Sequence, residues 1–183
     1  MEQAHVESRL HHDYKLQRLI VLTDAVFAIA MTLLALELRP PANWDGSVIT
    51  LFSAMRVSLL AYAVSFFVVA SYWSNHRRSF GFVLKADGTL TLLSLLALGL
   101  VTLLPVVTRL MTEHGGAPGA LAIYLGLFAA IGVVNAVVWG YACLRPGLLD
   151  PALDPRYRWT HLAVQVLPAL FCCAVVGLNS TGG

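Results

Sequence analysis

Charge is scarce in this chain. Twelve lysines and arginines and ten aspartates and glutamates make 12% of its 183 residues charged. Water-soluble domains carry about twice that fraction. With 58% hydrophobic residues and a mean hydropathy of +0.73, the composition is that of an integral membrane protein in contact with lipid. A net charge of +2 is too small to hold a nucleic acid. Cysteine is scarce too. Cys143, Cys172 and Cys173 lie in apolar stretches without CxxC or Cys/His ligand spacing, and read as inert membrane thiols. Phosphate-binding loops, nucleophile–base pairs and metal-ligand spacings are also missing, which argues against an enzyme and leaves no cofactor to expect. No linker is long or polar enough to divide two domains, and no repeat stands out. The first 17 residues are polar and the apolar run after them is too long for a signal-peptide core, so the first helix is expected to be retained. The chain therefore reads as one transmembrane domain, 1–183, opening with a short polar segment, 1–17.

What is abundant is apolar sequence, in five runs: roughly 18–38, 50–74, 89–111, 119–143 and 159–178. Each is long enough to cross a bilayer as a helix. Breakers fill the connectors: Pro40, Pro41, Asn43 and Gly46, then Gly115, Gly116 and Pro118, then Pro146, Gly147, Pro151 and Pro155. The expected fold is all-α, a polytopic membrane bundle with five apparent spans. With the N-terminus in the cytoplasm, that side holds Arg9, Lys15, Arg18, Arg77, Arg78, Lys85, Arg145, Arg156 and Arg158. The outer side holds Arg39 and Arg109, with Arg56 towards the outer end of the second run. This bias places the N-terminus inside.

The first run, RLIVLTDAVFAIAMTLLALEL, carries an aspartate where charge is expensive. Asp24 lies six residues beyond Arg18, about 9 Å along a helix, and so within the membrane. The two are about 120° apart on a helical wheel and cannot pair directly. Partners must come from another helix or subunit, and His76, Asn75 and Arg77 are candidates at similar depth. They belong to SYWSNHRRSF, residues 71–80, where Trp73 suits an interfacial position. Leu22, Ala25, Ile29, Leu33 and Leu36 form a stripe on the first helix, with Asp24 about 140° from Ile29. Such a stripe serves ordinary packing or lipid contact. Several copies around an axis would instead stack apolar rings that gate by dewetting, with Thr32 adding a hydroxyl.

Arg18-x-x-x-Leu22-Thr23-Asp24, followed by Ala25-Val26-Phe27-Ala28-Ile29, resembles the RxxxFSD signature of the endolysosomal potassium-channel family (transmembrane protein 175 type) in its bacterial form. Trp73-Ser74-Asn75-His76 resembles that family's second helix. Leu22 stands for the signature Phe and Thr23 for Ser; the threonine keeps the hydroxyl, and the leucine loses an aromatic contact. The resemblance implies a potassium-permeable channel, assembled as a homotetramer, with the first helix lining the pore. It implies a constriction at Ile29, Leu33 and Leu36 and a Ser/Thr layer at Thr32, with Thr32 and Ile29 setting selectivity. Arg18, Thr23, Asp24, Trp73, Asn75 and His76 would form a structural network. The permeant ion would be potassium, the other partners would be membrane lipid and further copies, and the location would be the bacterial cell membrane. Family members have six spans. Here five are counted, because splitting the third run at Pro105 yields pieces too short to cross, and only Asn179-Ser180-Thr181-Gly182-Gly183 follows Leu178.

Two other functions are compatible with parts of the sequence. Asp24 with His76 would suit a proton-coupled transporter or proton pathway. A haem or enzyme role would draw on the histidines, but His5, His11 and His12 lie in the N-terminal segment and His114 in an outer loop. That leaves His76 and His161 at the inner face.

Overall fold

A computed structural model describes residues 2–181 as a helical bundle. The elements are α1 (Glu2–Leu36), α2 (Val48–Phe80), α3 (Gly88–Thr102), α4 (Leu104–His114), α5 (Pro118–Leu144) and α6 (Pro155–Thr181). Among the described residues, five helices are long and apolar enough to cross a membrane, α3 and α4 counting together as one from Gly88 to His114. The five expected spans are present with longer ends, except that α1 stops at Leu36, two residues short of the expected 38. The polar stretch before residue 18 is continuous with the first span, and α2 runs on through the basic pair to Phe80.

The break between α3 and α4 has a local cause. Pro105 has no N–H for the Val101 carbonyl, and its ring crowds the preceding turn. The helix tightens there, with the Leu103 amide on the Leu100 carbonyl at 3.1 Å, and resumes at Leu104. Neither fragment, of 15 and 11 residues, would span alone.

Two buried clusters hold the bundle. One joins Phe27, Ala30 and Leu34 of α1 to Val69, Tyr72, Leu98, Val101, Leu104, Phe128 and Ile131. The other sits at the end carrying the 81–87 and 145–154 connectors, and centres on Leu19, Phe80, Leu90, Trp139 and Leu149. There the two connectors bond to each other, the Leu84 amide to the Leu148 carbonyl at 2.8 Å and the Asp150 amide to the Phe82 carbonyl at 3.0 Å. Gly147 turns that loop at φ +79°, a conformation open to glycine. Asp87 caps α3, accepting from the Leu90 amide at 2.8 Å and the Tyr141 hydroxyl at 2.7 Å. Desolvation raises its pKa, but those two donors, helped by Arg145 and Lys85, hold its carboxyl below the usual carboxylate range.

Helix contacts are close where small residues allow it. A Cβ on Gly132 of α5 would lie 3.3 Å from the Ala169 Cβ of α6 and 3.4 Å from the Tyr72 hydroxyl of α2. The Tyr72 hydroxyl donates to the Phe128 carbonyl at 2.8 Å, locking α2 onto α5.

Candidate functional site: the first helix and its partners

The signature on α1 divides between two faces. Leu19, Thr23, Phe27, Ala30 and Leu34 recur at helical spacing and are buried in the protomer. Thr23 turns its hydroxyl back onto the Leu19 carbonyl at 2.8 Å, so it enters the core with its donor satisfied. Leu22, Ile29, Leu33 and Leu36 are exposed. Thr32 is exposed too, donating to the Ile29 carbonyl at 2.8 Å.

Asp24 sits between these faces, half-buried. Its Oδ1 accepts from the Trp73 indole Nε1–H at 2.8 Å, bridging α1 to α2. The Arg77 guanidinium lies 5.0 Å from the centre of the Trp73 ring, where the ring face attracts a cation. Asp24, Thr23, His76, Arg77, Phe80, Ile20 and Gly81 line one crevice of about 200 Å³. His76 is buried there, stacked on Phe80 at 4.1 Å and tilted against Phe27 at 6.3 Å. Its Nε2 has no hydrogen-bond partner in the protomer.

Two expected members stand apart from this crevice. Arg18 reaches away from Asp24, stacks over Tyr14 at 5.5 Å and lines a separate cleft with Lys15, Leu22, Asp87 and Thr91. Asn75 lies on another face of α2, in a cleft shared with Asn135 and Gln165. Within one protomer, Trp73, Asp24 and His76 come together, and Arg18 and Asn75 do not join them. Among the described residues, no group of three His, Cys, Asp or Glu side chains gathers as a metal site.

Two buried polar clusters carry no motif and escape sequence reasoning. Ser65 lies 2.8 Å from the Tyr124 hydroxyl and 2.9 Å from the Thr108 hydroxyl, which itself donates to the Leu104 carbonyl at 2.8 Å. One proton per hydroxyl fixes the order: Tyr124 donates to Ser65, and Ser65 to Thr108. Near the connectors, Ser79 donates to the Asn75 carbonyl at 3.0 Å and accepts from the Gln165 amide at 3.2 Å. His161 Nε2 lies 2.8 Å from the same Ser79 oxygen, and with the serine proton already used it carries its proton there.

Known proteins resemble this chain in sequence and fold. Residues 18–105 match the model for "Endosomal/lysosomal potassium channel TMEM175". A protein named as a potassium channel from Streptomyces collinus is 32% identical over 151 residues, covering 79% of this chain and 73% of that one. A protein named as a potassium channel from Chamaesiphon minutus is 35% identical, covering 75% and 70%. The human endosomal/lysosomal proton channel TMEM175 is 34% identical over 81% of this chain, which spans 29% of that longer protein. The crystal structure of a lysosomal potassium-selective channel TMEM175 homolog from Chamaesiphon minutus superposes with a TM-score of 0.78 at 28% identity, covering 92% of this chain and 88% of that one. These are integral membrane ion channels and not enzymes, and this chain belongs to the TMEM175 family.

Proposed function

We propose that the chain, as a single transmembrane domain, assembles with further copies into a potassium-permeable channel whose pore is lined by α1. The observation that carries this reading is an unpartnered apolar stripe on the signature helix. Ile29, Leu33 and Leu36 are 57%, 41% and 69% exposed in the protomer, while Phe27 and Leu34 on the same helix are buried. One helix cannot enclose a pore, so the stripe needs copies around an axis, and a homotetramer is the assembly we propose. Rings of Ile29, Leu33 and Leu36 then form a constriction that gates by dewetting. Thr32 and Ile29 set selectivity. The Thr32 proton is held by the Ile29 carbonyl, which leaves its oxygen lone pairs free towards the lumen. Arg18, Thr23, Asp24, Trp73, Asn75 and His76 act as architecture, with Arg18 finding its partners between copies. The names of the Streptomyces and Chamaesiphon relatives support potassium as the permeant ion. The charge bias supports a cytoplasmic N-terminus in a bacterial cell membrane.

The test is potassium flux into liposomes holding the purified protein, with sodium as the control ion and Ile29→Asn alongside. Potassium flux above sodium flux, altered in rate or preference by the variant, is the expected result. An intact oligomer passing neither ion overturns the reading.

One observation favours a second reading, a proton-coupled transporter or proton pathway: His76 Nε2 is buried and unpaired in a crevice it shares with Asp24. The human relative's name supports it. Here Asp24→Asn abolishes coupling and leaves assembly intact, whereas an architectural Asp24 loses assembly first.

A further inference from the structure

Between α2 and α6, with α5 as its floor, lies a cleft of about 440 Å³, separate from the apolar stripe of α1 and from the Asp24 crevice. Its wall runs along α2 from Phe67 to Arg78, eleven helical steps or about 16 Å. That is about the depth of one leaflet's hydrocarbon. The cleft is graded along this length. At the deep end Phe67, Val164 and Pro168 are apolar; midway come Ser71 and Ser74; at the shallow end stand Asn75 and Arg78. Arg78 is exposed, and among the described residues no carboxylate lies within ion-pair distance of it. Gln165 also lines the cleft, 4% exposed. Its amide nitrogen is used by Ser79, and its Oε1 has no hydrogen-bond partner in the protein.

We propose that this cleft seats one anionic phospholipid from the leaflet at the Arg78 end. The phosphate sits at the Arg78 guanidinium, which neutralises it. One acyl chain follows Phe67, Val164 and Pro168 towards the bilayer centre. Phosphatidylcholine shares the chain and the phosphate, but it is net neutral, whereas phosphatidylglycerol keeps its negative charge for Arg78. The same cleft filled by an apolar helix of a neighbouring copy would leave Arg78 without a counter-charge. The inference depends on the chain spanning a membrane and not on what its pore conducts.

Native mass spectrometry of the purified oligomer, titrated with phosphatidylglycerol and with phosphatidylcholine, tests this. Phosphatidylglycerol is expected to bind with severalfold preference. Arg78→Gln weakens it about fivefold or more, the worth of one interfacial cation. Arg156→Gln, an exposed cation on the same membrane side, changes it less than twofold. Ser74→Trp fills the cleft from an exposed position and removes the preference while the oligomer persists on size exclusion. Equal binding of the two lipids, or equal loss in Arg156→Gln and Arg78→Gln, overturns the proposal. Displacement by millimolar glycerol 3-phosphate overturns it too, since a free anion then suffices. So does a disulfide between copies through Ser74→Cys, since a neighbour then occupies the cleft.

Discussion

Among the described residues, the bond from Trp73 to Asp24 is the one side-chain hydrogen bond between the signature and α2, and its worth can be worked out. Trp73→Phe removes the indole N–H that donates at 2.8 Å and keeps a ring face for Arg77. Hydrogen bonds to charged groups contribute about 1.5–3 kcal/mol in soluble proteins. Interhelical bonds in membranes average about 0.6 kcal/mol, with a maximum near 1.7, because the unfolded chain in the membrane also finds partners. A half-buried carboxyl acceptor belongs at the upper end of the membrane range, so a coupling of about 1.5 kcal/mol is expected. The assay is a double-mutant cycle of Trp73→Phe and Asp24→Ala, with stability read from detergent-titration unfolding. The single variants each lose about 1.5–2.5 kcal/mol, and the double loses about 1.5 less than their sum. Additivity within about 0.5 kcal/mol would refute the reasoning, because Asp24 would then be satisfied by water or another copy instead of by Trp73.

Three further outcomes follow from the packing. Ser65→Ala strands the Tyr124 hydroxyl in the core and is expected to cost about 1–3 kcal/mol; Tyr124→Phe on that background recovers part of the loss in the same unfolding assay. Gly132→Leu drives a side chain into Ala169 and the Tyr72 hydroxyl, 3.3 and 3.4 Å from a Cβ alone. It should cost about 1–3 kcal/mol as overpacking, visible as a lower melting midpoint, with Gly132→Ala milder. Asp87 has a folded pKa held below its ordinary value. Its stabilisation is therefore complete above about pH 3.9, the ordinary carboxylate value, and is lost as pH falls towards the lowered folded value. The stability gap between wild type and Asp87→Asn, read by thermal unfolding across pH, should narrow only below that point.

Much of the fold was legible because lipid leaves the backbone few options. A long apolar run must satisfy every amide internally, so five runs imply five helices. The helix ends were not legible. The polarity of Ser71–Phe80 suggests an exit to the interface, yet α2 continues to Phe80 and buries His76, Ser79 and Phe80 against its neighbours. Hydropathy reports the average environment of a segment; the burial of single polar residues depends on which helix faces them. For the same reason Ser65, Thr108, Ser79 and Gln165 gave no signal. Each is one polar atom whose partner lies more than 40 positions away, in another helix.

The wheel on α1, in contrast, set one apolar stripe apart from Asp24, and the protomer separates the two. Ile29, Leu33 and Leu36 are exposed, as an unsatisfied stripe requires, and Asp24 points to a protein neighbour. That division constrains the channel proposal. A carboxylate facing the lumen beside the apolar rings would hold water and defeat dewetting. Tied to Trp73, Asp24 is kept off the stripe, so rings of Ile29, Leu33 and Leu36 can close to water. Trp73→Phe should then do more than destabilise. Where the oligomer survives it, Asp24 gains freedom to turn towards the axis, and the closed pore is expected to leak. Single-channel recording reads this as a raised resting open probability. An unchanged resting open probability in an intact oligomer would show that Asp24 is fixed by something other than the indole.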